Sequence, residues 1–499
     1  MKLHHGTPPD GTVRDWLDAR AQSGGTAIVF PETGGTLSWQ QLQAEAARIA
    51  LDLTALGINK GDSVAVMHPN GRDGVIALYA ALYGGFRATM INLAAGPDAI
   101  AYALEHSEAR VAFVHPDQRD VFDQAKPAHL NIYLPTSSTS QVDLHPLQAS
   151  DDALLMYTSG TTGRPKGVVH THASLLAGGW TVTVAHHLTA QDRGFCVLPI
   201  YHINGQCVTV MGSLVSGGSL AMVSRFSASQ FWEQAATGEV TWFSVVPTII
   251  SHVLHAKDDP APAVRSRIRF GRSASSALAV ETQTAFQNRF GIPIVETMGL
   301  TETAAQILSN PLDPARHKIG SSGIAYGNEA RIADENGTPS PTDVEGEIQV
   351  RGPNVMKGYL KNPDATANAF AGAWFRTGDL GRMDADGYVY VTGRLKELII
   401  KGGENIAPRE IDEALYQHPD VMEAAAFARP CPQYGERVEA AVRLRPGSSA
   451  TPDDLVALCT TRVGTFKAPD CVHILDELPK GPSGKIQRLY LNEMLYGKS

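Results

Sequence analysis

The sequence predicts an α/β protein with a large N-terminal domain of layered β/α subdomains and a small α+β C-terminal domain. Three observations predict it. A chain of 499 residues exceeds what one hydrophobic core serves, so several domains or subdomains are expected. Helix-period and strand-like runs alternate from Thr12 to beyond Val246, the pattern of parallel β/α layers. About a hundred residues follow Gly393–Arg394, enough for one small α+β domain.

Taken in order, Val13, Trp16, Leu17 and Ala21 fall at helical spacing and predict a helix over Thr12–Ala21. Ala27–Phe30 reads as a strand. Leu37-Ser38 leads into a helix across Gln41–Leu56, where Ser38 can cap reciprocally with Gln41 and Gly57 can end it. Ser63–Met67 is a buried strand by its apolar run, and Ala153–Met156 is a short apolar strand ahead of a glycine-rich loop. Thr241–Thr248 is a buried strand closed by proline, and Arg269–Leu278 carries two arginines and three serines near the end of a strand. Ligands of open α/β sheets collect outside such strand ends. No internal repeat or low-complexity tract is evident.

Composition narrows the function classes. Hydrophobic content of 43% and charge of 19% suit a globular protein. A formal net charge of −9 argues against nucleic acid and supplies no basic stripe for a membrane surface. The five cysteines contain no C-x-x-C pair, so there is no zinc framework, and reduced thiols in a cytoplasmic protein are expected. The N-terminus lacks the apolar core of a signal peptide, and no run approaches a membrane span. Oligomeric state has no signature of its own; a homodimer is one expectation.

Tyr157–Gly167 reads Y-T-S-G-T-T-G-R-P-K-G. Gly160, Gly163 and Gly167 free the backbone so that N–H groups can face one point. Thr158, Ser159, Thr161 and Thr162 add hydroxyls, and Lys166 adds a mobile charge. Such a cradle suits phosphate oxygens, although Pro165 and Gly167 break the ordinary P-loop pattern and a plain surface loop has the same composition. Farther on stand His202 and Asn204 after a break at Pro199, Thr301-Glu302 after Val295-Glu-Thr-Met, Asp379 in a T-G-D turn, Arg394, and Lys485 in a Gly/Pro-rich loop. Alone, each has a bland structural role: a core histidine, a helix start, a turn carboxylate, a solvated lysine.

Together, six separated segments between about residues 157 and 490 match the signatures of the adenylate-forming superfamily, whose members include acyl-CoA synthetases, firefly luciferase-like enzymes and peptide-synthetase adenylation domains. The chain resembles that superfamily, and oxalate–CoA ligase-like small-acid CoA ligases in particular. The resemblance implies ATP, Mg²⁺ and coenzyme A, and a reaction in which a carboxylate attacks the α-phosphorus, releases pyrophosphate and is then taken by the CoA thiol. It implies that Thr158, Ser159, Gly160, Thr161, Thr162, Gly163 and Lys166 hold phosphates. Ser275, Ser276, Glu296, Thr297, Met298 and Thr301 would border the nucleotide, with Asp379 and Arg394 as a ribose clamp. Met298 stands where an aromatic ring is common, which weakens the stacking expected there. Glu302 would hold Mg²⁺, and Lys485 with Thr301, Glu302 and His202 would serve catalysis. The domain boundary falls between residues 394 and 395, with Lys396 the hinge of a mobile C-terminal domain and Lys401, Gly402, Gly403 and Glu404 the loop presented to CoA.

The acid is read from the remaining residues. Tyr201–Asn204 carries no carboxylate to pair an amino group, which disfavours an amino acid. His202, Asn204, Arg272, Ser273 and Gly299 form the expected acid pocket, with donors for a second anionic group. A short acid such as oxalate, malonate or sulfoacetate is expected; a medium-chain fatty or aryl acid is the alternative. From other classes, a luciferase-like oxygenase and a catalytically silent AMP- or acyl-binding module are the alternatives; Lys166, Glu302 and Lys485 are all present, contrary to the silent module.

Overall fold

The computed structural model describes residues 6–135, 142–158, 165–481 and 485–497. The expected first elements form. The helix Val13–Ser23 starts at Thr12, whose hydroxyl and Asp15 make a reciprocal cap, and Trp39–Ala55 is capped in the same way by Ser38 and Gln41. Gly57 follows that helix with φ +80°. Between them the structure adds the edge strand Gly35–Ser38, antiparallel to Thr26–Phe30. Its short polar sequence gave no alternation by which to expect it.

Among the described residues the strands build four sheets. One has nine strands, in which Ile294–Leu300, Phe270–Ser273, Trp242–Val245, Arg193–Cys196, Ser219–Met222 and Thr26–Phe30 run parallel. Antiparallel strands close both ends. A seven-stranded sheet runs parallel through Asp152–Thr158, Arg87–Met90, Ser63–Met67 and Val111–Val114. Lys166–Thr171 and then Gly358–Tyr359 add to it antiparallel. The helix His172–Ala185 is buried along nearly its whole length; its mostly apolar sequence suits a helix held between layers rather than at a surface.

A five-stranded antiparallel sheet follows, from Glu329–Ala333 to Val389–Arg394. The fourth sheet takes all its strands from after Arg394 and has its own core of Ile399, Ile411, Leu415, Val438, Val442 and Leu455. It carries the glycine loop and, beyond its last strand, Lys485.

Candidate active site

A cavity of about 260 Å³ opens between the C-terminal ends of the parallel strands and the segment after Arg394. Nine of the expected residues line it: Ser275, Ser276, Glu296, Thr297, Met298, Gly299, Asp379, Arg394 and Lys485. Glu397, Arg409, Asp412, Glu413 and Arg488 line it as well. Sequence reasoning missed these five, because they lie in helices and turns whose spacing shows only ordinary surface charge.

The wall on the sheet side is tightly specified. At Gly299 a Cβ would lie 1.7 Å from the Ala305 carbonyl oxygen, so only glycine lets Ile294–Leu300 and Ala305–Ser309 meet at their irregular register. Ser275 holds φ +77°, a conformation uncommon outside glycine, and its hydroxyl accepts from Asn204 Nδ2 at 3.3 Å. Glu296 accepts from the Leu278 amide at 3.3 Å, while its second oxygen is buried with no partner among the described residues. Burial, partly offset by the Arg409 charge, pushes its carboxyl up to about 7.

Opposite stand Asp379 and Arg394. They were expected as a turn carboxylate and a residue fifteen positions away; instead both lie in strands, directly across from one another. The ten-residue run Trp374–Met383 stays extended through the T-G-D segment, with Gly378 at φ +72° supplying the local bend. Arg394 Nε donates to Asp379 Oδ1 at 2.8 Å. Burial raises the Asp379 carboxyl, and Arg394 and Lys485 pull it back. Lys485 is itself lowered to about 8, first by burial and then by the Arg394 charge, against the pull of Asp379, Glu397 and Glu302.

Lys166 was expected within a loop. It is the first residue of the strand Lys166–Thr171, paired with Thr158, and its ammonium sits 4.7 Å from the centroid of the Tyr359 ring. Ser159, Gly160, Thr161, Thr162 and Gly163 lie outside the described residues. Thr301 opens a short 3-10 turn, and its carbonyl is bonded to His170 Nε2 at 2.6 Å. Glu302 Oε1 accepts from the Tyr359 hydroxyl at 3.0 Å. Burial raises the Glu302 carboxyl, against Tyr359, Arg394 and Lys166. Thr158, Lys166, Thr301 and Glu302 stand beyond the cavity lining. Tyr359 was missed, since it lies 57 residues from Glu302 in sequence and strand pairing alone brings it there.

The acid-pocket candidates need correction in position. His202 and Asn204 were expected on an irregular loop. Asn204 instead begins a π-helical run, Asn204–Met211, and His202 sits at its entry, edge-on to Tyr201 at 4.9 Å. His202, Asn204, Arg272 and Ser273 do not line the cavity. Arg272 and Asn204 stand behind Ser275: Arg272 Nη1 donates to Asn204 Oδ1 and Ser244 Oγ, each at 3.1 Å, and Asn204 passes the chain on to Ser275. Arg272 is 1% exposed. Its Nε and the Ser273 hydroxyl have no partner, and no carboxylate forms an ion pair with it among the described residues. Burial lowers its guanidinium to about 9.

The hinge and loop residues do not line the cavity, although Lys396 adjoins Glu397, which does. Lys396 is exposed in the turn that Glu397 N closes on Arg394 O at 2.9 Å. Gly402 and Gly403 form a two-residue hairpin between Ile399–Lys401 and Glu404–Ile406, both at positive φ as a type I′ turn requires. Lys401, expected to be presented by this loop, is turned inward, donating to Phe466 O at 2.9 Å.

A lysine and a carboxylate–guanidinium pair face one cleft, and the Glu302 carboxylate beyond its lining lies within reach of the Arg394 and Lys166 charges. Such a cleft can neutralise phosphate charge and align a nucleotide. Comparison with known proteins gives this arrangement its family. The AMP-binding enzyme model matches residues 16–360, and the AMP-binding enzyme C-terminal domain matches residues 410–485. The sulfoacetate–CoA ligase of Cupriavidus necator is 45% identical over 93% of this chain and 94% of its own. An oxalate–CoA ligase of Arabidopsis thaliana is 35% identical over 90% of each. The ATP-bound crystal structure of MatB from Rhodopseudomonas palustris superposes with a TM-score of 0.88 at 28% identity, covering 98% of this chain and 99% of that one.

The chain belongs to the AMP-binding, adenylate-forming enzyme family. Within it, the protein is an ATP-dependent acid–CoA ligase, an AMP-forming acid–thiol ligase.

Proposed function

We propose that the acid is short and carries a second anionic group, with sulfoacetate first and oxalate or malonate beside it. The observation that carries this is Arg272. A guanidinium buried without an acidic partner is costly, and it persists most readily where an anion arrives to pair with it. Arg272 lies near the end of Phe270–Ser273 and is linked through Asn204 to Ser275, which lines the cavity. An acid whose reacting carboxylate sits by Lys485 would point a distal sulfonate or carboxylate at Ser275, with Asn204 between that group and Arg272. Small-acid ligases among the relatives support the same class. An apolar or aryl acid would leave Arg272 uncompensated.

The remaining roles follow from charge. Lys485, a flexible point charge, would hold the carboxylate oxygen against the α-phosphate as the bond from that phosphorus to the pyrophosphate oxygen breaks. Lys166 would take charge on the leaving phosphates, and Asp379 would accept from the ribose hydroxyls. Glu302, a hard oxygen donor held by Tyr359, fits Mg²⁺, which would supply charge neutralisation of the phosphates. The Gly402–Gly403 hairpin fits coenzyme A as a slender ligand: a Cβ at Gly403 would meet nothing within 4 Å, so the turn is open to close approach. The large domain would end at Arg394 and the remainder turn about Lys396, exchanging Lys485 for the hairpin between the two half-reactions.

Pyrophosphate exchange across sulfoacetate, oxalate, malonate, octanoate and benzoate tests the acid. Exchange should be fastest with one of the first three. Fastest exchange with octanoate or benzoate sinks the anionic pocket.

A further inference from the structure

Tyr359 touches both charged groups of the phosphate end at once. The Lys166 ammonium rests on its ring face at 4.7 Å, and its hydroxyl donates to Glu302 Oε1 at 3.0 Å. The Glu302 carboxylate feels the Lys166 charge. In a cleft of low dielectric such a cation and carboxylate, left free, close into an ion pair. That pair would silence both for a ligand.

The backbone holds Tyr359 between them. Gly358–Tyr359 pairs with the strand that begins at Lys166, Tyr359 opposite Val168. Lys357 N donates to Val169 O at 2.9 Å and Leu360 N to Gly167 O at 2.8 Å, while Met356 N donates to Glu302 O at 2.7 Å. Tyr359 N itself donates to Thr366 Oγ1 at 2.9 Å. The segment is thereby tied to the lysine strand and to the glutamate turn.

We propose that Tyr359 is a positioning residue that keeps Lys166 and Glu302 apart and aimed. Its ring gives the ammonium a neutral resting place by cation–π attraction, and its hydroxyl orients the carboxylate that would hold Mg²⁺. Hydrogen-bonded partners of ligating carboxylates set metal affinity in this way. The inference rests on the roles assigned above to Lys166 and Glu302.

Calorimetric titration of the full-length protein with ATP, without acid or CoA, tests it in two arms, one with excess Mg²⁺ and one with EDTA. Tyr359→Phe keeps the ring and loses the hydroxyl. It should weaken the Mg²⁺ arm by about threefold to tenfold and leave the EDTA arm unchanged. Tyr359→Leu loses both contacts and should also weaken the EDTA arm, by about threefold or more, because ATP must then break a Lys166–Glu302 pair. In a Glu302→Gln background the same Leu substitution should leave the EDTA arm unchanged, since no carboxylate remains to capture the lysine. Unchanged arms in Tyr359→Phe, or equal weakening by Leu in both backgrounds, overturns the inference. If Glu302→Gln alone keeps the full Mg²⁺ enhancement, the Glu302 assignment falls, and the inference with it.

Discussion

Arg272 is a buried charge whose proposed role in acid recognition and cost to stability can be separated by one substitution. Its charge is buried with two neutral oxygens at Nη1 and, among the described residues, nothing at Nε. Replacing buried charge by an apolar group of similar length commonly stabilises a fold by about 1–4 kcal/mol. Arg272→Met should therefore raise the thermal midpoint of the ligand-free protein while cutting kcat/KM for the dianionic acid about a hundredfold or more. A variant that is both less stable and unchanged in acid preference would show Arg272 to be a structural brace. Lys485 gives a second prediction at this scale. Because burial and Arg394 lower its ammonium to about 8, the free protein loses that charge above pH 8. The kcat/KM for ATP should fall across that range, and Lys485→Arg, charged throughout, should remove the falling limb even if the rate is lower.

At the scale of elements, two glycines separate packing from chemistry. Gly299 meets the Ala305 backbone so closely that no side chain can shift to make room. Gly299→Ala should lower stability by about 3 kcal/mol or more, visible as insoluble expression or a much reduced thermal midpoint. Gly403, with φ +86° and open space where its Cβ would be, is different. Gly403→Ala carries only the left-handed backbone strain, about 1 kcal/mol. It should leave pyrophosphate exchange at the wild-type rate and slow acyl-CoA formation. Slowing of both reactions together would remove the hairpin from the CoA step.

At the scale of the molecule, the cavity is made by two parts of the chain and its electrostatics couple them. Glu296, on the large sheet, faces Arg409 and Glu413 from the helix Pro408–Tyr416. Its carboxyl is raised to about 7, so its contribution to stability is fully present below its unfolded value and is lost as pH rises through 7. Glu296→Gln should melt progressively above the wild type from pH 5 to pH 8, by up to about 3 kcal/mol, while retaining the bond to Leu278 N. Lys485→Ala tests the division of labour between those parts. Adenylate formation should be abolished, and thioester formation from supplied acyl-adenylate should continue; equal loss of both contradicts a turning C-terminal part.

What the sequence determined alone was local and periodic. The reciprocal caps at Thr12 and Ser38, the buried run Ser63–Met67, and the β/α alternation are set by residues within a few positions of one another, where propensity and hydrogen bonding act directly; of the strand expected over Thr241–Thr248 only Trp242–Val245 forms, because Pro247 opens the next helix. The nucleotide end was legible because glycine-rich turns and charged loops keep their order along the chain. Other features depended on distant segments. Asp379 lies across from Arg394 only because two strands pair in that register. Arg272 is shut behind Asn204 and Ser275 because a π-helical run packs over the strand end. Tyr359 reaches Lys166 and Glu302 through one two-residue strand. Strand register and burial are cooperative properties of the assembled sheets, so these placements, and with them the position of the buried Arg272 charge, were decided by the tertiary structure.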